Sequence, residues 1–205
     1  VKVADAQCED PDWKEQADLV IADLPCSGLG VMGRKPDLKY RMTKEDALQL
    51  AELQRQLLSV VKNYVAPGGT LMYSTCTIHR SENEDNTAWF LKEHPEYKIV
   101  HSNLEERSYF PLKEAKKAGV PVRISHSHNR PLGVDLKLIM RYYFRFMLKY
   151  YNTHMFACGI EAGDWLYGKK NRNNVIIMKN AIDANQYRYN EETQNRMREE
   201  LGISG

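Results

Sequence analysis

The 205-residue sequence is poor in cysteine, and none of its four cysteines (Cys8, Cys26, Cys76, Cys158) belongs to a C-x-x-C pair. That argues against a zinc site and against a disulfide framework, and it fits a reducing cytoplasm. No stretch approaches the roughly 18 consecutive apolar residues that a membrane-spanning helix needs. The opening "VKVADAQCED" has no basic segment followed by an apolar core, so no secretory signal is expected. It also lacks an initiator methionine, which suggests a start inside a longer protein. Internal repeats, low-complexity tracts and long linkers are missing too.

What is present is a globular balance, 42% hydrophobic and 27% charged, in a length suited to one ordinary domain or a domain plus a fragment. The net charge of +2 conceals an asymmetry. Residues 1–110 carry 13 Lys+Arg against 18 Asp+Glu, a net −5, and residues 111–205 carry 16 against 9, a net +7. A reversal of this kind is expected where segments with different partners or origins meet.

The apolar run "DLVIAD" (18–23) predicts a buried parallel-type strand, followed by a loop with Gly28, Gly30, Gly33 and Pro36. Thr43 and Asp46 have capping-box spacing and open a helix whose apolar face is Leu50, Leu53, Leu57, Val61 and Tyr64. "APGG" (66–69) is expected to stop it before a strand at 70–75. Ser81 and Glu84 suggest a second capping box for a helix ending near His94–Pro95, and 97–102 is a further strand. The β-α-β-α-β alternation argues for a parallel sheet with packed helices. Beyond it, strands are expected at 120–129, 153–159 and 174–180, with helices at 136–151 and 160–167 and a last one capped by Asn190.

Cys26 and Cys76 each follow a predicted strand, the end of a parallel sheet where ligands bind. A cysteine at such a position serves either as a small core residue or as a reactive group. A helix beginning near residue 81 would favour a thiolate at Cys76. Two thiols and the acid Asp23 suit chemistry at carbon 5 of a pyrimidine. A thiolate adds to carbon 6 and pushes electron density to carbon 5, a hydrogen-bonding group steadies the charge, and a second group helps eliminate the adduct.

The stretches "DLPCSGLGVMGRKPDLKYR" and "LQRQLLSVVKNYVAPGGTLMYSTCTIHRSENEDNTAWFLKEHPEY" resemble the Sun/Fmu-type RNA 5-methylcytosine methyltransferases over about residues 1–103. The resemblance implies an S-adenosyl-L-methionine-dependent enzyme acting on ribosomal or transfer RNA. It also implies Cys76 as nucleophile, Cys26 in product release, Asp23 at the methyl donor and target base, and Asp5 on the adenine side of the cofactor. Lys35, Lys39 and Arg41 would then face RNA phosphate, or else form a solvated loop. The family's glycine-rich cofactor loop lies upstream of Asp5, so weak or no cofactor binding is expected of residues 1–205 alone. The family's closing strands are not found after residue 103.

From residue 111, "KEAKKAGVPVRISHSHN", "FACGIEAGDWLYG" and "VIIMKNAIDANQYRYNEETQNRMREELGI" resemble the family 4 glycosyltransferases. That implies a nucleotide sugar as donor, with His126 and His128 lining an acceptor pocket or else holding structural positions. The basic, aromatic helix at 141–151 would lie on a membrane surface or pack on the sheet. The expected fold is therefore α/β. An incomplete, methyltransferase-type Rossmann-like parallel sheet (1–110) is followed by a second partial Rossmann-like segment (111–205). The first half, with its two-cysteine constellation, sets the expected activity.

Overall fold

The computed structural model describes residues 3–34, 36–129, 137–180 and 188–203. The chain is α/β with two parallel sheets. Strand β1 (Ala17–Asp23) pairs in parallel with β2 (Val65–Ser74), in register from Leu19↔Thr70 to Asp23↔Ser74. Between them run the one-turn helix α1 (Leu38–Arg41) and the long crossover helix α2 (Lys44–Val61). The predicted capping box forms: the Thr43 N–H donates to Asp46 Oδ2 at 2.9 Å and the Asp46 N–H to Thr43 Oγ1 at 3.1 Å. Those bonds hold the Asp46 carboxyl below its usual range.

The buried stripe of α2 differs from the predicted one. It comprises Ala47, Ala51, Gln54, Leu57 and Leu58, with Leu50, Leu53 and Val61 only half-buried. The two alanines let the helix approach closely, and the amide Gln54 takes a central place. "APGG" also behaves differently from expectation. After α2 and a short 3-10 turn (Lys62–Tyr64), β2 begins at Val65, so these four residues lie inside the strand. Ala17 pairs with Val65 but Leu19 already pairs with Thr70, so the excess residues of β2 bulge. Gly68, at φ 83°, supplies the left-handed backbone that the bulge requires.

Helix α3 (Glu84–Glu93) follows a 3-10 turn at Arg80–Glu82 and is preceded by Asn83. The Ser81–Glu84 box is not formed. Ser81 sits within the preceding turn, where its Oγ meets His79 Nδ1 at 2.7 Å.

The second sheet has the order β3-β4-β5-β6, all parallel, from β3 (Ile99–Ser102), β4 (Val122–Ser127), β5 (His154–Ala157) and β6 (Val175–Ile177). Strand β3 therefore pairs with β4 and not with β1 or β2, so the first alternating run is shared between two sheets. The helices α4 (Tyr109–Lys117), α5 (Lys137–Leu148) and α6 (Ile160–Tyr167) connect these strands, and α7 (Glu191–Glu200) comes last with Asn190 as its N-cap.

Tyr109, Leu112, Leu148 and Leu166 form one buried cluster, with Phe144 and Trp165 packed against it. Leu91, Ala115 and Val120 form another, flanked by Phe90 and Tyr97, so α3 and α4 share a core. Each such leucine contributes about 1.5–3 kcal/mol. Helix α5 thus packs inward through Phe144 and Leu148 and exposes Ile139, Met140, Tyr142 and Phe146. Among the described residues no helix is long and apolar enough to cross a membrane.

Candidate active site

Because β1 and β2 are parallel neighbours, their carboxyl ends open side by side, and the loops after them carry Cys26 and Cys76. Backbone bonds join the two loops: the Leu24 N–H donates to the Ser74 carbonyl at 3.2 Å and the Gly30 N–H to the Cys76 carbonyl at 3.1 Å. Gly30 is required there, since a Cβ at this position would stand 2.8 Å from the Cys76 carbonyl oxygen. The sulfurs of Cys26 and Cys76 lie 2.9 Å apart, and the Cys76 N–H donates to Cys26 Sγ at 3.2 Å. Cys76 is exposed and Cys26 half-buried.

The Cys76 thiol is pushed above its ordinary pKa, first by its hydrogen bond with Cys26, then by burial and by the Cys26 charge, with a small contribution from the Asp23 carboxylate. This is opposite to the thiolate-favouring effect expected from a helix N-terminus. The helix begins only at Glu84, and a 3-10 turn separates it from Cys76.

Beneath the sulfurs lies a polar cluster that the motifs did not reveal. Glu82, Gln54 and Asn86 are fully buried and Ser27 is 1% exposed. Glu82 Oε1 accepts from the Ser27 N–H (2.8 Å) and from Gln54 Nε2 (3.1 Å). Its Oε2 accepts from the hydroxyls of Ser27 (2.5 Å) and Thr77 (3.1 Å), which also lie 2.7 Å from each other. Gln54 Nε2 donates as well to the Pro25 carbonyl (2.9 Å), and Gln54 Oε1 accepts from Asn86 Nδ2 (2.9 Å) and the Tyr73 hydroxyl (3.1 Å). The Tyr73 hydroxyl also meets the Glu82 carbonyl. Burial, ahead of every other cause, pushes the Tyr73 phenol up to about 12. Asn86 Oδ1 accepts from Arg55 Nε at 2.7 Å. The signal available in the sequence was slight: a hydroxyl residue directly after each cysteine, and a glutamine in phase with Ala47 and Ala51.

The other predicted site residues fall as follows. Asp23 ends β1, exposed and beside the cysteine loops. Asp5 lies in an exposed N-terminal turn, where its Oδ1 accepts from the Gln7 N–H at 2.9 Å. Arg41 closes α1, exposed, 3.8 Å from Asp37. Lys35 lies outside the described residues, as does the side chain of Lys39.

His126 and His128 sit at the end of β4, on the other sheet. His126 Nδ1 lies 3.1 Å from His101 Nε2, its Nε2 is buried with no side-chain partner among the described residues, and its ring is 4.1 Å from that of His128. Burial, then the neighbouring His128 and His101, lower the His126 pKa to about 4. The structure therefore brings Cys26, Cys76 and Asp23 together and groups the histidines with His101, Asn103 and Phe156 instead.

A profile of the 16S rRNA methyltransferase RsmB/F family matches residues 1–130, more than half of the chain. The chain belongs to this family. The match extends beyond residue 103, where the motif resemblance stopped, and takes in α4 and β4 as well.

Among curated relatives in the RsmB/F family, the probable ribosomal RNA small subunit methyltransferase B of Bacillus subtilis is 47% identical over 83 residues, 40% of this chain and 19% of that protein. The ribosomal RNA small subunit methyltransferase B of Vibrio cholerae is 35% identical over 127 residues, 60% of this chain and 29% of that protein. The ribosomal RNA small subunit methyltransferase F of Cronobacter sakazakii is 40% identical over 82 residues, 40% of this chain and 17% of that protein. The chain thus spans less than a third of the length of these relatives. A solved structure described as "Crystal Structure of PH0851" aligns with a TM-score of 0.43 and 42% identity over 44% of this chain and 20% of the other.

Proposed function

We propose that this chain carries the two-thiol centre of an S-adenosyl-L-methionine-dependent methyltransferase that modifies carbon 5 of cytosine in small-subunit ribosomal RNA. The observation that carries the proposal is the 2.9 Å approach of Cys26 Sγ and Cys76 Sγ at the open ends of two parallel strands. The names of the RsmB/F relatives supply the substrate class.

Cys76, the exposed thiol, loses its proton to solvent and adds through sulfur to carbon 6 of the base. The carbon 5–carbon 6 π pair shifts into the ring, and carbon 5 becomes nucleophilic. Asp23, exposed at the end of β1, accepts a hydrogen bond from the exocyclic amino group on the base edge and so orients the cytosine. Asp5 would hold the adenine side of S-adenosyl-L-methionine and Asp23 would lie at its methyl-donor end, both being exposed acids, and the cofactor would supply the electrophilic methyl group when bound. Once carbon 5 carries its methyl, its proton passes to solvent, the freed pair re-forms the carbon 5–carbon 6 double bond, and the sulfur–carbon 6 pair leaves on sulfur, returning the Cys76 thiolate. Cys26, one hydrogen bond away, acts in this release. Arg41 exchanges its exposed Asp37 partner for RNA phosphate.

The test uses small-subunit rRNA transcribed with 5-azacytosine, whose ring accepts a thiolate at carbon 6. The wild-type chain should give a protein–RNA adduct that survives denaturation, and Cys76→Ala should give none. An undiminished adduct in Cys76→Ala would rule out the nucleophile assignment.

A further inference from the structure

We infer that Glu82 is the positioning residue that sets the distance between the two sulfurs, an inference that rests on reading Cys26 and Cys76 as the reacting pair. The cysteines lie fifty residues apart in sequence, on separate loops. Each is followed directly by a hydroxyl residue, and both hydroxyls converge on one carboxylate oxygen, Ser27 at 2.5 Å and Thr77 at 3.1 Å from Glu82 Oε2. The other oxygen takes the Ser27 backbone N–H at 2.8 Å, so the peptide that leaves Cys26 is fixed as well as the side chain after it. Gln54 Nε2 holds Oε1 and the Pro25 carbonyl together, which ties the residues on both sides of Cys26 to the same point.

A carboxylate is an acceptor with about four lone-pair directions. The four donors at these distances, two on Ser27 and one each on Thr77 and Gln54, match that number. Glu82 is fully buried, so none of this bonding is shared with bulk water. Its side chain touches neither sulfur; it acts through the residues that follow them. An amide at this position would turn one accepting atom into a donor and face a hydroxyl or N–H with another donor. A methyl group would leave all the donors without an acceptor.

The experiment reads sulfur separation without needing methyl transfer. Phenylarsine oxide bridges two thiols whose sulfurs lie within a few ångströms: two As–S bonds form, the As=O bond breaks, and the oxygen leaves as water with the two thiol protons. Applied to the full chain, it should place one phenylarsenic bridge on Cys26 and Cys76, located by peptide mass mapping. In Glu82→Gln and in Thr77→Val, the bridging rate should fall by about ten-fold or more, because misplacement on the ångström scale costs that order. Thr77→Ser, which keeps the hydroxyl, should restore it. Circular dichroism and thermal melting monitor the fold of each variant.

Wild-type bridging in folded Glu82→Gln and Thr77→Val overturns the inference. So does loss of the fold in the near-isosteric Thr77→Val, which would assign the cluster to folding alone. A wild-type chain that bridges arsenic but forms no RNA adduct leaves Glu82 in its positioning role and refutes the proposed activity instead.

Discussion

Replacing Gln54 by leucine distinguishes a helix that needs only an apolar stripe from one that carries part of the site. By helical spacing, position 54 belongs with Ala47, Ala51, Leu57 and Leu58, and a leucine there should stabilise the chain by about 1.5–3 kcal/mol, the worth of burying such a side chain. The structure predicts the opposite sign. The Gln54 amide is fully buried and uses both donors and both acceptor sites, toward Pro25 O, Glu82 Oε1, Asn86 Nδ2 and the Tyr73 hydroxyl.

Removing it leaves unequal damage behind. Glu82 Oε1 keeps the Ser27 N–H, Asn86 Nδ2 keeps the Ala51 carbonyl and Tyr73 keeps the Glu82 carbonyl, whereas the Pro25 carbonyl loses its Gln54 donor. One abandoned polar group costs about 1–3 kcal/mol, and each lost bond with a surviving alternative about 0.5–1.5 kcal/mol. Set against the gain from leucine, the net destabilisation is about 1–4 kcal/mol. For a chain of this length that lowers the melting temperature by roughly 2–16 °C, at about 2–4 °C per kcal/mol. Urea unfolding of wild type, Gln54→Leu and a surface control, Leu48→Gln at a half-exposed position, measures it. A Gln54→Leu chain as stable as wild type, or more so, refutes the polar-cluster argument.

Two other outcomes follow from the titrating groups. The hydrogen bond from Cys26 is the first cause of the raised Cys76 pKa, so Cys26→Ala should move the pH profile of Cys76 alkylation by iodoacetamide to lower pH, and an unmoved or higher profile would contradict the pairing. His126 is held to about 4, below the ordinary histidine value of 6.5, so the folded state favours its neutral ring. Its stabilising contribution is complete above pH 6.5 and is lost as the pH falls from there toward 4. His126→Phe should flatten the decline in urea stability between pH 7 and pH 5, and an unchanged slope would show that other groups set it.

Much of the chain could be read from local pattern because local chemistry decides it. The Thr43–Asp46 box starts α2, the apolar run ending at Asp23 makes β1, and Asn190 caps α7 through the Thr193 N–H. The pattern was insufficient where a partner had to be chosen. Strand β3 carries no mark of which sheet it joins, and it pairs with β4, whose own register accepts it from Ile99↔Val122 to Ser102↔Ser125. "APGG" has the composition of a helix stop, yet the same residues serve a bulge, since left-handed backbone at Gly68 is needed in either case.

The candidate site divides along the same line. Cys26 and Cys76 were visible as a pair because each directly follows an apolar strand run, at the end of a parallel sheet where ligands bind. Glu82 was hidden, since in "HRSENEDN" it is one acid among three and looks like part of a solvated turn. Only closure of β1 against β2 gives that carboxylate its donors, by bringing Ser27, fifty-five positions away in the chain, within 2.8 Å of it. The same closure brings the sulfurs together. A buried, fully satisfied carboxylate tolerates little displacement, because every donor that moves away loses a charge-assisted bond in a dry environment. The spacing of the thiol pair, one sulfur exposed and one half-buried, is therefore set by an acid that bonds to neither of them.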